Sequence, residues 1–200
     1  METFNPFSDP SRYPDLLQQI ATGNQPAFKQ LYGYFYRRLY HFALSMVKIK
    51  EASEEIIEDV FIRIWKQKEN MTGIRNLRVY LYTAVKNSSL NYLSKKARES
   101  ITEPFDHIEI EFIESVNPEQ LMITAELFNK IRQAIENLPP RCKMIFKLIR
   151  EDGLKYKEVS QILNISVNTI DAQMAIAVSR LAAALTADFG PMARKKPVAE

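Results

Sequence analysis

Apolar residues recur at intervals of three and four along almost the whole chain, while glycine, with 5 residues in 200, is scarce. A repeat near 3.6 residues lines up apolar side chains only on a helix, so the sequence predicts an all-α protein. In 25–48 the series Phe28, Leu31, Phe35, Leu39, Phe42 and Met46 marks one face of a long helix. In 51–68 the stripe is Ile56, Ile57, Val60, Phe61 and Ile64, with Trp65 beside it. A third helix begins near Asn76 and runs through Leu77, Tyr80, Leu81, Ala84 and Val85. At Asn87-Ser88-Ser89 it is expected to break, because these side chains bond their own backbone, and to resume at Leu90. Three helices of this length enclose one small core, so 24–100 is read as a first domain and 1–23 as an N-terminal extension.

Residues 101–125 carry 6 Asp/Glu and no Lys/Arg, and Pro104 and Pro118 fall among them; they are read as a flexible acidic linker. Beyond it, Leu121, Phe128, Ile131, Ile135 and Leu138 form a helical stripe stopped by Pro139-Pro140. Met144, Ile145, Leu148 and Ile149 form a shorter one, stopped by Glu151-Asp152-Gly153. Next, KYKEVSQIL (155–163) reads as a short amphipathic helix, Asn164-Ile165-Ser166 as a tight turn, and Val167 to about Leu185 as a second helix. Asn164 tolerates positive φ, and the Ser166 hydroxyl can cap the second helix by accepting a backbone N–H. Val159, Leu163, Ile165, Ile170 and Met174 would fill the corner between the two. The spacing makes 126–185 a second helical domain with a helix-turn-helix, although a helical hairpin without a ligand would look the same. Residues 186–200 have no apolar period and are expected to be disordered.

Two basic bodies flank the acidic strip. Residues 24–100 hold 14 Lys/Arg against 7 Asp/Glu, net +7, and 126–185 hold 9 against 6, net +3. Such bodies suit a polyanion, and the strip between keeps them from sharing one stretch of it unless something else organises them. No apolar run approaches the roughly 18 residues that span a bilayer, and METFNPFSDPSRYPD lacks a basic start before an apolar core, so a cytoplasmic protein is expected. The lone Cys142 reads as a buried small residue. There is no Gly-rich phosphate loop, no Ser-His-Asp set and no Cys-His pair, and His41 and His107 stand apart. The Glu cluster at 51–59 lacks the Glu-x-x-His pairs of a di-metal bundle. No catalytic residue, metal, cofactor or small-molecule substrate is expected.

Both bodies together resemble the sigma-70 family, specifically the minimal extracytoplasmic-function sigma factors built of regions 2 and 4. The likeness covers about 25–98 and 126–185. In region 2 it is carried by EASEEIIEDVFIRIWKQ (51–67) and NLRVYLYTAVKNSSLNYLSKKAR (76–98), and in region 4 by IENLPPRCKMIFKLIREDGLKYKEVSQILNISVNTI (135–170). The region 2 block is similar in style to that of Bacteroidetes sigma factors. A single helix-turn-helix is a weak signal, but both blocks in this order and at this separation are a strong one.

The resemblance implies core RNA polymerase and promoter DNA as partners. It places Glu55, Ile56, Glu58, Asp59 and Phe61, with Trp65 a turn beyond, on the face that meets the polymerase clamp; without it, the carboxylates read as a solvated face. It makes the interrupted third helix the part that opens and holds the single-stranded minus-ten element. Asn87, Ser88, Ser89 and Asn91 would form a short polar loop able to receive an unstacked base. Arg75, Arg78, Lys86, Lys95, Lys96 and Arg98, with Tyr80, Tyr82 and Tyr92 interleaved, supply the cations and aromatics of a single-strand track. Of these tyrosines, Tyr80 is expected to be packed and Tyr92 to face outward.

Region 4 would hold the double-stranded minus-thirty-five element through Val167–Ser179, and here the chain departs from the family. Where relatives commonly carry Arg or Lys, it has Asp171, Ala172 and Ile176, so little counterion release is available. Lys155 and Lys157 on the preceding helix and Arg180 further along are the substitute cations, Ser166 sits at the turn, and Asn168, Thr169 and Gln173 remain to read base edges. Weak intrinsic affinity of region 4 is the consequence. Members of the group are usually held by an anti-sigma factor, often membrane-bound. The acidic linker is compatible with that and equally with imitating nucleic acid inside the polymerase. The rival to a sigma factor is an ordinary helix-turn-helix regulator in which 24–100 serves as a dimerisation or effector domain.

Overall fold

The computed structural model describes the backbone of residues 13–99 and 122–189, and side chains over 13–98 and 129–184. All the described elements are helical: α1 Tyr13–Ala21, α2 Gln25–Val47, α3 Lys50–Lys66, a 3-10 turn Lys68–Gly73, α4 Leu77–Glu99, α5 Met122–Glu136, α6 Pro140–Arg150, α7 Tyr156–Leu163 and α8 Val167–Phe189. They fall into two compact units, one holding the helices before residue 111 and the other essentially all those after it. None of the helices searched is long and apolar enough to cross a membrane.

The first unit is organised by α2. Asn24 starts this helix, its Oδ1 accepting the Ala27 N–H at 3.1 Å, and Pro26 occupies the first turn, where no N–H is needed. Lys48 ends it in the left-handed conformation, φ 63°, with its N–H returned to the Leu44 carbonyl. Two residues then lead into α3, so the two helices lie side by side as a hairpin. Leu31, Phe35, Leu39 and Phe42 of α2, Ile57, Val60 and Ile64 of α3, and Leu77, Leu81, Tyr82 and Val85 of α4 form the core. Each such side chain contributes roughly 1.5–3 kcal/mol on burial.

The core also reaches beyond the expected boundary. Residues 13–21, read from the sequence as part of an extension, form α1, whose Leu16, Leu17 and Ile20 are buried as α1 packs on α2 and the 3-10 turn. Nine residues are too few for an apolar period to stand out. The 3-10 turn is closed from below by buried Met71, and Asn76 then caps α4 by accepting the Val79 N–H at 3.1 Å.

α4 departs from expectation in a way that matters for function. It runs from Leu77 to Glu99 without a break at Asn87-Ser88-Ser89. Local competition for backbone bonds loses to packing, because Leu81, Val85 and Ser89 recur every fourth residue on the buried side.

In the second unit, α5 and α6 pack on α8. Buried Leu138, Cys142 and Ala177 meet at the crossing, with Phe146 against them. The Cys142 thiol donates to the Gln173 carbonyl at 3.2 Å, and burial pushes it up despite the opposing pull of Arg180; it is packed, as the sequence implies. Gly153, φ +67°, ends the turn after α6. α8 extends to Phe189, past the expected limit near 185. Of the acidic linker only 122–125 are described, as the start of α5, and of the tail only 186–189.

Glu136 ties α5 to α6, accepting Lys143 at 3.0 Å and Lys147 at 2.9 Å. Burial pushes its carboxyl up, but the two lysine bonds outweigh this and hold it below the ordinary range. A lowered folded-state pKa stabilises above the unfolded value and is lost as pH falls through the folded one. Glu136→Gln is therefore expected to lower the melting temperature of the second unit at neutral pH, with the deficit shrinking on acidification below the ordinary carboxylate range. A thermal melt series against pH measures it; a deficit independent of pH would contradict the ion pairs' role.

Candidate nucleic-acid interface

The period that buries α3 also decides what α3 can offer. Positions 56, 57, 60, 61 and 64 face the core, leaving Glu51, Glu54, Glu55, Glu58 and Asp59 exposed along the opposite side. The polymerase face read from the sequence thus needs correcting at two residues. Ile56 is 6% exposed and Phe61 2%, so they support this face from beneath. Glu55, Glu58 and Asp59 are on it. Trp65 is half-buried, its ring tilted at 46° against Phe28 with centroids 4.8 Å apart, and Lys68 lies over it at 5.5 Å. Ile62, which the sequence reading passed over, is 50% exposed beside them. Its signal was an apolar residue falling on the polar side of the helical period. None of the five carboxylates forms an ion pair with a described residue.

On α4 the unbroken helix converts the expected polar loop into a polar face. Helical spacing places Tyr80, Asn87, Asn91 and Arg98 on one side, and all four are exposed. Tyr80, at 37% exposure, lies on the surface and Tyr82 is the packed tyrosine, against Phe42 at 5.2 Å, which reverses the expectation for Tyr80. Tyr92 and Lys86 are half-buried, and Lys95 and Lys96 are exposed. Arg75 is exposed and Arg78 half-buried near the start of the helix.

Of the expected DNA contacts, Ser88 is engaged elsewhere and Ser89 is buried. The Ser88 hydroxyl accepts a short hydrogen bond from Arg63 Nη2, joining α4 to α3; Arg63 also donates to the Asp59 carbonyl. Ser89 is 0% exposed and its Oγ meets no hydrogen-bond partner among the described residues, so it cannot face a base. A buried hydroxyl without a partner is destabilising by about 1–3 kcal/mol relative to an apolar group of the same size. Ser89→Ala is accordingly expected to raise the melting temperature by several degrees and to leave DNA binding unchanged. A fall in either would restore a functional hydroxyl.

In the second unit the turn is as expected. Asn164 ends α7 with φ 53°, and Ser166 Oγ accepts the Thr169 N–H at 3.0 Å. Ser160 closes the turn from behind by donating to the Ile165 carbonyl at 2.6 Å. Val159, Ile170 and Met174 are buried in the corner, with Leu163 and Ile165 half-buried. Lys155 lies one residue before α7, where its N–H donates to Glu158 Oε2 at 2.8 Å, while its side chain and that of Lys157 are exposed.

Along α8, Thr169, Gln173, Ile176 and Arg180 share one stripe by spacing, so the only cation extends the line of two candidate readers. Thr169 is half-buried and shares a 2.8 Å hydroxyl bond with Ser166, and Gln173 is also half-buried. Asn168 stands exposed on a neighbouring side with Asp171 and Ala172.

Residues 31–99 match the family model for Sigma-70 region 2, and 128–181 that for Sigma-70, region 4. The chain is similar to the ECF RNA polymerase sigma-E factor of Escherichia coli (strain K12), 28% identical over 169 residues, covering 80% of this chain and 86% of that protein. It is also similar to the ECF RNA polymerase sigma factor SigW of Bacillus subtilis (strain 168), 26% identical over 165 residues, 79% of this chain and 88% of that one. Two solved structures share the fold. One is CnrH in complex with the cytosolic domain of CnrY, at a TM-score of 0.55 and 20% identity over 88% of this chain and 98% of that one. The other is the sigma factor RpoE in complex with the anti-sigma factor NepR from Bartonella quintana, at 0.61 and 22% over 80% and 98%.

Proposed function

This chain belongs to the sigma-70 family, within its extracytoplasmic-function group, and we propose that its two units divide the steps of starting transcription between them. It is an alternative sigma factor that directs transcription initiation. In the reading offered here it works in the cytoplasm as a non-catalytic subunit of the polymerase. The exposed carboxylates of α3 dock on core RNA polymerase, Ile56 and Phe61 setting their position from the core. The Tyr80–Asn87–Asn91–Arg98 face of α4, with Arg75, Arg78, Lys86, Tyr92, Lys95 and Lys96 around it, holds the unpaired minus-ten strand. α7 and α8 lie on the minus-thirty-five duplex, with Lys155, Lys157 and Arg180 as cations and Asn168, Thr169 and Gln173 as readers. An inhibitory protein holds the factor inactive, a proposal supported by the NepR complex of the RpoE to which this chain is similar.

The observation that carries this reading is the contrast within one compact unit between α3, which shows five carboxylates without ion-pair partners, and α4, which shows cations, asparagines and a tyrosine. A polyanion is repelled by the first and attracted by the second, so the unit has separate sides for protein and for nucleic acid. A dimerisation domain of an ordinary regulator has no need of that division. The test is run-off transcription from the native promoter by core polymerase freed of other sigma factors. A promoter-specific transcript that appears only with the chain is expected. DNA binding with no transcript would return the chain to the regulator reading.

A further inference from the structure

One side of the first unit shows both charges in adjacent rows. Along α2, Lys29, Gly33 and Arg37 recur at every fourth residue and are all exposed, and no Asp or Glu occurs anywhere in 16–50. Along α3, Glu51, Glu54, Glu55 and Glu58 are exposed. None of these charged side chains forms an ion pair with a described residue. Tyr32, Tyr36 and Tyr40 lie between the rows, half-buried, with ring centroids 5.1 Å and 6.2 Å apart. Burial pushes their phenols up, and carboxylates of α3 add to it: Glu58 at Tyr32, Glu54 and Glu58 at Tyr36, Glu54 and Glu51 at Tyr40. The two helices of the hairpin therefore run in opposite directions past the tyrosines, with Glu58 toward the Lys29 end of the basic row and Glu51 beyond its Arg37 end. The rings hold the rows apart, so each row stays unpaired within its own chain.

Gly33 points the same way. Glycine inside a helix weakens it relative to alanine. Here nothing lies within 4 Å of the place a side chain would take, so the fold of the chain itself does not call for glycine. A bare position on an exposed helix lets another backbone approach closely. A face with a basic row beside an acidic row is complementary to itself. Half a turn about an axis through the tyrosines lays the basic row of one copy on the acidic row of another, and the antiparallel order sets Lys29 against Glu51 and Arg37 against Glu54 and Glu55. DNA would be repelled by the acidic row, whereas a second copy answers both.

We infer that this face of α2 and α3 receives a second copy of the chain, forming a two-fold dimer that covers the acidic side of α3 in both copies and so withholds the factor from polymerase. The withholding rests on the reading of α3 as the polymerase face; the dimer does not. The experiment is sedimentation velocity of the full chain over a concentration series at low and high salt, with thermal melts as a folding control. The unaltered chain is expected to pass from monomer to dimer as its concentration rises, and high salt to weaken the dimer about tenfold or more, because exposed pairs are screened. Arg37→Glu and Glu54→Arg, both at exposed positions, are each expected to weaken it about tenfold or more, since each sets like charges together twice. Mixed in equal amounts, the two variants are expected to dimerise about as tightly as the unaltered chain. In the mixed pair the two altered positions meet with opposite charge, and the unaltered Arg37 meets an unaltered Glu54. Should either variant melt early, Lys29→Glu and Glu51→Lys supply the same comparison.

A chain that stays monomeric overturns the inference. So do single variants that dimerise as tightly as the unaltered chain, or a mixture no tighter than its components. Weaker duplex binding by Arg37→Glu beside unchanged self-association would give the basic row to DNA and also overturn it. Excess core polymerase is expected to dissolve the dimer, and a complex that carries both copies overturns the shared face. A chain that dimerises as expected but binds no core polymerase leaves the dimer standing and removes the docking reading, a result distinct from all of these.

Discussion

Alanine at both Asn87 and Asn91 is expected to reduce promoter-specific transcript at least about thirtyfold while core polymerase binding stays within twofold. Both side chains are exposed on one side of an unbroken helix, flanked by Tyr80 and Arg98, and neither has a side-chain hydrogen-bond partner to lose among the described residues. A side chain that reads a base edge contributes roughly 1–3 kcal/mol, so two lost contacts, ~2–6 kcal/mol together, place the loss at about thirtyfold or above. The Asn and Lys side chains point to strand capture because bases leave the stack only where stacking and edge contacts replace what they lose. Run-off yield beside a core-binding titration measures both quantities. A matched loss in the two would mean that the substitutions disturb α4 as a whole.

The second large effect is a gain. Asp171 and Ala172 are exposed near the start of α8 and supply no cation, so the helix releases few counterions on meeting DNA. Asp171→Arg/Ala172→Arg in the full chain is expected to raise affinity for a minus-thirty-five duplex about tenfold or more at low salt. Each phosphate newly neutralised should steepen the dependence of log affinity on log salt by about 0.9. Fluorescence anisotropy over a salt series reads both. An unchanged slope would show that this side of α8 does not face phosphate, and the exposed Val167 and Val178 beside it would then favour a protein neighbour.

The helices and the turn of the second unit were legible because the signals there are local. Asn164 and Ser166 act within five residues of their own positions, and the structure shows both in the roles their chemistry implies. α1 was not legible, because nine residues followed by Thr22-Gly23 show too little period, and the partners of Leu17 and Ile20 lie elsewhere in the chain. The unbroken α4 was missed for a related reason. Serine and asparagine weaken a helix by tenths of a kcal/mol each, whereas burying Leu81, Tyr82 and Val85 contributes several. Propensity argued for a break, and packing on α2 and α3 decided against it.

Among the candidate site residues, charge and exposure were readable and engagement was not. Glu55, Glu58 and Asp59 stand where a period of 3.6 puts them, and the same period, applied strictly, assigns Ile56 and Phe61 to the core. That Ser88 is held by Arg63 depends on two residues 25 apart in sequence, on different helices, which no local pattern reveals.

In the proposed division of roles, a neutral recognition helix and a cation-bearing α4 would make the grip on DNA depend on being carried by polymerase. Once one unit is anchored, the other meets its element at high effective concentration, so a weak contact suffices. The central claim is that α4 captures the opened strand. It is tested most directly by comparing Asn87→Ala/Asn91→Ala with the unaltered chain on two templates, an ordinary duplex promoter and one whose minus-ten segment is already unpaired by mismatch. If α4 favours opening by holding unpaired bases, the variant fails on the duplex and recovers most of its activity on the premelted template. An equal defect on both templates, or none on either, would contradict it.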